Sequence, residues 1–379
     1  MAKYFLIAGE ASGDQHAAAL VEQIRQRDPE AQFAGLGGDQ METAGVRLYR
    51  HIRYMAFMGF AAVVRHWRDV KANFRIAHEV LLKEQPDVLV LVDYPSFNLR
   101  MASFCCKHLP HTRIVYYVPP KVWAWKKRRI HRIARLCDEV LGIFPFEPAF
   151  YAKYGYQCRY VGNPTAEGID RLRLAEHRPA SPDRIQTIAI LPGSRASEIT
   201  NCLPRMLEAA RRFSDYTISV CAAPGIPDDF YTPYLRAGET LTRETYATLQ
   251  KAKAAVINSG TATLEAALLG CPQVAVYHLA CSWLIGLIRW AQPLVFSIRH
   301  FTLVNIIADK QVIKECVANE FTTENVAEEL ERLLTDERYQ KEMSVSYEHL
   351  FALLGSQSAS SSAADIITSA LRAKPEYTA

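Results

Sequence analysis

No Cys-x-x-Cys pair occurs among the nine cysteines of this 379-residue chain, and the one close pair, Cys105-Cys106, is adjacent. That spacing suits neither a zinc site nor a disulfide framework, and a reducing cytoplasm is the simplest setting. There is no Asp-x-Asp triplet, so a metal clamp on a diphosphate is not indicated, and the sequence calls for no resident cofactor. A Gly-x-Gly-x-x-Gly spacing is missing after the first apolar run, where Gly9-Glu10-Ala11-Ser12-Gly13-Asp14 stands instead. This disfavours a nicotinamide dinucleotide. Gly35-Leu36-Gly37-Gly38 reads as a turn. Neither sign of charge dominates: the formal net charge of +4 is too small for the chain's size to argue nucleic-acid binding, and no nucleic-acid partner is expected. The run Tyr4 to Ala8 is cut off by Gly9-Glu10, too short for a signal-peptide core. Residues Ala266 to Ile288 lack Asp, Glu, Lys and Arg, yet Gly270-Cys271-Pro272-Gln273 divides them into helix end, turn and strand rather than one membrane span. No internal repeat is found, and Ser356 to Ser362 is the only low-complexity tract.

What is present is an alternation of short apolar runs with helical stretches. With 49% hydrophobic and 22% charged residues, the chain has the composition of a soluble protein with room for two cores. Strands are predicted at Tyr4–Ala8, Gln32–Leu36, Asp87–Val92, Arg113–Val118, Glu139–Phe144 and Arg159–Val161. A second set follows at Thr187–Leu191, Thr217–Ala222, Ala254–Ile257 and Val274–Tyr277. Both sets suit parallel sheets covered by helices. Ser12 with Gln15 makes a capping-box pattern for a helix from His16 to Arg27. The boundaries read as a first domain over 1–166, a Pro- and charge-rich linker over 167–186, a second domain over 187–345 and a helical tail over 346–379 that crosses back to the first. The expected class is α/β, with two Rossmann-like domains facing across a cleft in the GT-B manner.

Two loops in the second half carry the most chemistry. Leu191-Pro192-Gly193-Ser194-Arg195 and Asn258-Ser259-Gly260-Thr261-Ala262-Thr263-Leu264-Glu265 each lie where a strand gives way to a helix. Small residues admit close backbone approach, and a helix N-terminus attracts anions, so the pair forms a seat for a diphosphate. Arg195 adds a cation of fork geometry, and Glu265 suits a ribose diol. In the first half, Asp93 ends an apolar strand at the ligand-binding end of the sheet and is the preferred general base, with Glu10 and Asp14 as rivals. From spacing alone Asn305 and Glu315 read as structural. An apolar stretch from Met55 to Trp67 is either a core helix or, with Phe57, Met58, Phe60 and Trp67 exposed, a membrane contact. The basic cluster from Lys121 to Arg135 around Trp123 and Trp125 is either a solvated face or a site for an anionic headgroup or phosphorylated substrate.

Taken in order, these motifs resemble the lipid-A-disaccharide synthase family. The matching segments are Gly9 to Asp14, Met58-Gly59, Asp93-Tyr94-Pro95-Ser96-Phe97-Asn98, Val122-Trp123-Ala124-Trp125, Phe144-Pro145-Phe146-Glu147, Leu191 to Arg195 and Ser259 to Glu265. The resemblance implies an inverting, metal-independent transfer of 2,3-diacylglucosamine from UDP to 2,3-diacylglucosamine 1-phosphate (lipid X), giving a β-1,6 disaccharide. By motif it implies Asp93 as base, and Arg195 with Gly193, Ser194, Ser259, Gly260, Thr261, Ala262 and Thr263 on the diphosphate. It further implies Glu265 on the ribose and Asn305 in a third nucleotide loop. Glu10, Ser12, Gly13, Asp14, Asn98 and Trp123 fall on the acceptor side. A cytoplasmic enzyme peripheral to an anionic inner-membrane surface is implied, and a homo-oligomer is left open. Pro119 and Lys121 stand where the family usually has serines, Asn163 where it often has histidine, and Ala318 where glutamine is common. Two rivals remain: another UDP-sugar enzyme of this architecture, such as a 2-epimerase or soluble-acceptor transferase, and a nucleotide-sugar sensor without turnover.

Overall fold

The computed structural model describes residues 1–55, 67–124, 127–176, 184–278 and 300–372. They form two compact units, Met1–Pro164 with Gln357–Ala379, and Thr165–Ser356.

The first unit is a seven-stranded sheet of β1 (Lys3–Ala8), β2 (Gln32–Gly37), β3 (Arg47–His51), β4 (Val88–Val92), β5 (Arg113–Tyr117), β6 (Glu139–Gly142) and β7 (Arg159–Tyr160). Its order is β3-β2-β1-β4-β5-β6-β7, and every pairing is parallel. Parallel strands are buried on both faces, and Val88 to Val92 are accordingly fully buried. Phe5, Ile7, Leu89 and Leu91 share one core, and Tyr4, Leu6, Val88 and Val90 the other. Its helices in chain order are α1 (Ala11–Arg27), α2 (Asp39–Thr43), α3 (Trp67–Glu84), α4 (Pro95–His108), α5 (Arg129–Leu136) and α6 (Glu147–Ala152); α7 (Pro164–Glu176) starts at the unit boundary and belongs to the second unit.

The second unit repeats the plan with β8 (Ile185–Leu191), β9 (Thr217–Cys221), β10 (Thr240–Thr242), β11 (Ala252–Asn258), β12 (Gln273–Tyr277) and β13 (Glu315–Val317), again all parallel, in the order β10-β9-β8-β11-β12-β13. Its helices are α8 (Ala196–Ala210), α9 (Thr245–Lys251), α10 (Thr261–Leu268), α11 (Leu303–Ala308), α12 (Thr323–Thr335) and α13 (Glu337–Leu354). Arg184 donates to the carbonyls of Ala252 and Gly270 at 2.8 and 2.5 Å, fixing the chain beyond α9 and α10. The last helix, α14 (Ala359–Arg372), lies with the first unit, where Ala363, Ala364 and Ile367 share a core with Ala17, Leu20 and Ile24 of α1.

Local readings are corrected in three places. Helix α1 begins at Ala11, with Glu10 at the N-cap and no side-chain cap bond, so Ser12 lies inside the first turn and no capping box forms. The stretch read as a linker begins inside helix α7, and β8 starts at Ile185. The second unit extends through α13, past the predicted boundary at 345. Strands β3, β10 and β13 were not predicted; they are short, and β3 is polar.

In each sheet the strand order reverses once, between β1 and β4 and between β8 and β11. Open α/β sheets bind ligands in the crevice outside the carboxyl ends of the strands at that switch point. The loops after β1 and β4 carry Glu10 and Asp93; those after β8 and β11 carry Gly193 to Arg195 and Ser259 to Gly260.

Candidate active site

In the first unit, four neighbouring strands β1, β4, β5 and β6 are followed by segments that bring Glu10, Asp93 and Glu147 into electrostatic range of Lys121. The corner after β4 is strained. Asp93 and Tyr94 both have φ of 45° and Val118, after β5, has φ of 56°. Left-handed backbone at such residues costs of order 1–3 kcal/mol each and persists where surroundings over-determine it. Here the Asp93 amide donates to the Val118 carbonyl at 3.2 Å, while the Asp93 carbonyl accepts from the Tyr116 hydroxyl and the Asn98 amide, both at 2.7 Å. The Tyr94 ring lies directly over Gly9, where any Cβ would collide with it, and its hydroxyl donates to the Met55 carbonyl at 2.8 Å. The backbone of Asp93 is thereby fixed from three sides.

Burial pushes the Asp93 carboxyl above its ordinary pKa, and the Lys121 ammonium pulls it partly back. Lys121 keeps solvent-exposed surface, but its ammonium is crowded: burial lowers its pKa against the pull of Asp93, Glu147 and Glu10. Glu147 is fully buried and pushed up to about 7 by burial, although it accepts from the amides of Ile143 and Phe144 at 2.8 and 3.0 Å and from the Trp123 indole at 3.2 Å. Trp123 itself packs edge-on against Phe144 and Phe146. The motif containing Glu147 is visible in the sequence; the role of its carboxylate is not, because its donors come from the turn behind it and from an indole 24 residues upstream.

Several residues expected on the acceptor side are interior. Asp14 is 3% exposed, and its carboxylate is spent on the amides of Gly38, Gln40 and Met41 at 2.7, 3.0 and 3.2 Å, capping α2. That removes it as a rival base. Asn98 is fully buried and acts through the Asp93 backbone. Gly13 is buried in α1, where an added Cβ would meet Ala8 and Val92 at ordinary contact distance, while Ser12 is exposed. Asn163 is buried and donates to the Ile143 carbonyl at 3.0 Å. Phe57, Met58 and Phe60 lie outside the described residues, and Trp67 is the first residue of α3.

In the second unit the two small-residue loops open onto α8 and α10. Gly193 has φ of +120°, where a side chain is strained, and a Cβ there would press on Glu198 and Asn258. Arg195 is the N-cap of α8 and is exposed; its guanidinium pairs with Glu198 at 2.8 Å, and the same carboxylate accepts from the Ser194 amide at 2.9 Å. Gly260 and Thr261 are exposed at the start of α10, Ser259 and Ala262 are half-buried, and Thr263 is buried with its hydroxyl on the Gly260 carbonyl at 2.8 Å. Glu265, half-buried in the second turn of α10, has its pKa pushed up to about 7 by burial. Asn305 is fully buried: it donates to the Ile313 carbonyl and to Glu315, both at 2.9 Å, and accepts from Val312 and Ile313 at 2.7 and 3.0 Å. Glu315 also receives the Thr302 amide and hydroxyl at 2.8 and 2.7 Å. The structural reading of Asn305 and Glu315 fits these bonds: the pair builds the loop rather than reaching out of it. Among the described residues no group of three or more His, Cys, Asp or Glu could hold a metal ion. No helix among them is long and apolar enough to cross a membrane.

These features can be set beside known proteins. The chain is similar over 97% of its length to the lipid-A-disaccharide synthase of Trichlorobacter lovleyi, at 34% identity and 97% of that protein. It is 34% identical to the enzyme of the same name from Myxococcus xanthus over 96% of each chain, and 35% identical to that of Anaeromyxobacter dehalogenans over 97% of each. Among solved structures, the glycotransferase of kitacinnamycin matches with a TM-score of 0.63 over 97% of this chain and 98% of that one, at 12% identity. The UDP-GlcNAc 2-epimerase of Neisseria meningitidis, bound to UDP-GlcNAc, matches at 0.59 over 98% and 100%, also at 12% identity. Likeness at that level shows a shared fold, that of GT-B glycosyltransferases and related epimerases, and nothing finer. The lipid-A-disaccharide synthetase family matches residues 4–369, and the chain belongs to that family.

Proposed function

We propose that Asp93 and Arg195 are the chemical centres of the glycosyl transfer that family membership gives this enzyme. The reaction moves 2,3-diacylglucosamine from UDP to the 6-hydroxyl of 2,3-diacylglucosamine 1-phosphate. Asp93 takes the hydroxyl proton, the oxygen attacks the anomeric carbon opposite the phosphate, and the bond to the diphosphate breaks with its electrons leaving on UDP. Attack from that side converts an α-linked donor into a β-1,6 disaccharide. Arg195 and the backbone N–H groups at the starts of α8 and α10 receive the developing charge, in the manner of preorganised oxyanion donors. The N–H of Ser194 and the guanidinium of Arg195, now satisfied by Glu198, are released to the diphosphate. Glu265 accepts from the ribose diol, and Ser259 to Thr263 line the phosphates. Glu10 and Lys121 flank the acceptor.

The observation that carries this reading is the corner at Asp93: a carboxylate at the switch point, held by strained backbone and three backbone hydrogen bonds, with its pKa raised toward that of a working base. The 2-epimerase reading rests on fold likeness at 12% identity and has no further support. Both substrates carry acyl chains, which favours a peripheral enzyme on an anionic membrane face, with Phe57, Met58, Phe60 and Trp67 as contacts. Incubation with UDP-2,3-diacylglucosamine and lipid X, followed by mass analysis, should yield the disaccharide 1-phosphate and UDP. A deacylated donor turned over equally well would point to a soluble acceptor instead.

A further inference from the structure

A cavity of about 390 Å³ opens between α3, α4 and α5 on the first unit. Its lining includes Phe74 and His78 of α3, Arg100, Phe104 and Lys107 of α4, and Arg132 of α5. None of the described residues that line it is acidic. Arg100, Phe104, Lys107 and His108 recur at helical spacing, so α4 presents them on one face. Arg100 lies over the Phe74 ring at 4.9 Å from its centroid, and His78 stacks on Phe104 at 3.9 Å and 9°. Arg132 is held by the Leu99 carbonyl at 3.2 Å. Arg100 and Arg132 are thus braced by an aromatic ring and a backbone carbonyl, with no carboxylate among the described lining residues. A like-charge cluster of this kind repels itself unless an anion sits among its members. Arg100 and Lys107 stand 5 and 12 residues along α4 from Pro95, about 8 and 18 Å at 1.5 Å per residue, so the pocket runs along the helix away from the Asp93 corner.

We propose that this pocket binds the phosphate of an anionic lipid headgroup, its cations on the phosphate oxygens, with Phe74 and Phe104 packed beneath them as the support that holds Arg100 and His78 in place. The proposal rests on the reading that the substrates are drawn from a membrane, and it adds a defined headgroup site to that reading. Braced arginines suit phosphate better than a diffuse basic face would, because their forks are preorganised for paired acceptance.

The test compares the full-length protein with Arg100→Gln/Lys107→Gln and with a control, Lys251→Gln/Lys341→Gln, that removes two exposed cations from the second unit. Each is sedimented with phosphatidylcholine vesicles with and without phosphatidylglycerol, beside a thermal melt and an assay on detergent-dispersed substrates. The pocket variant should lose about fivefold in partition to anionic vesicles per cation, about 25-fold for the pair, at unchanged melting temperature and turnover. The control should stay within about twofold. Equal losses in both variants would reduce the effect to net charge and overturn the site, as would no loss in the pocket variant. Inorganic phosphate, titrated against chloride at equal ionic strength, separates the sources. If phosphate binds the parent but not the pocket variant while vesicle binding is unaffected, the ligand is a soluble phosphate and the lipid assignment falls. Turnover in detergent reports on the Asp93 mechanism independently, so the two readings fail separately.

Discussion

The two units share one topology and put opposite chemistry at their switch points. Around Asp93 the first unit crowds carboxylates about a single lysine, on a backbone with three left-handed non-glycine residues. Around Gly193 and Gly260 the second unit offers small residues, two helix starts and an exposed arginine. The fold supplies the crevice in both cases, and the loop residues decide what it receives. An acid-rich, rigid corner suits proton removal. A corner of backbone N–H groups suits a diphosphate that must be held and then released with more charge than it brought.

The largest expected effect comes from removing the carboxylate proposed as base. Asp93→Asn keeps size and hydrogen bonding, and should lower turnover about 100- to 10,000-fold. A near-normal rate would move the base to Glu10. Next, Arg195→Ala should lose about a hundredfold in kcat/KM, since a cation facing a departing diphosphate matters most as charge develops. Lysine should rescue only part, because a point charge cannot reproduce the fork. Equal activity of alanine variant and parent would take Arg195 out of the site.

Asn305→Ala should behave differently from both. It strips acceptors from the buried amides of Val312 and Ile313, and each unsatisfied group costs about 1–3 kcal/mol. A lower melting temperature should therefore accompany any loss of UDP affinity; weaker binding at unchanged melting would give Asn305 a direct ligand role.

Smaller still are the titrations. Glu147 and Glu265 both rise from 4.5 to about 7 on folding. The folded state then holds protons that the unfolded chain has released, so stability is greatest below pH 4.5 on this account and declines as pH rises through 7. In Glu147→Gln the melting temperature should depend less on pH between 5 and 8. In Glu265→Gln the fall of UDP affinity below about pH 7 should disappear. Lys121→Met should move the acid limb of the rate profile to higher pH, since the lysine pulls the Asp93 pKa down. An unshifted limb would show that another group sets it.

Much of this was legible in the sequence. Fully buried parallel strands announce themselves as apolar runs, as Val88 to Val92 does, and loops of small residues between strand and helix mark the anion seat. Short edge strands were not legible: Arg47 to His51 alternates too little apolar surface with polar side chains to signal a strand. Nor were long-range polar partners. Asp14 reads as a cleft carboxylate until α2 brings three amides to it from more than 20 residues away. The strain at Asp93, Tyr94 and Val118 has no sequence signature at all, since none of the three is a glycine.

The division of labour is tested most directly by calorimetric titration of UDP into Asp93→Asn and Arg195→Ala beside the parent. Asp93→Asn should keep the parent's Kd despite its lost turnover, and Arg195→Ala should show a clearly weaker Kd. Weakened UDP binding in Asp93→Asn, or full affinity in Arg195→Ala, would contradict that division.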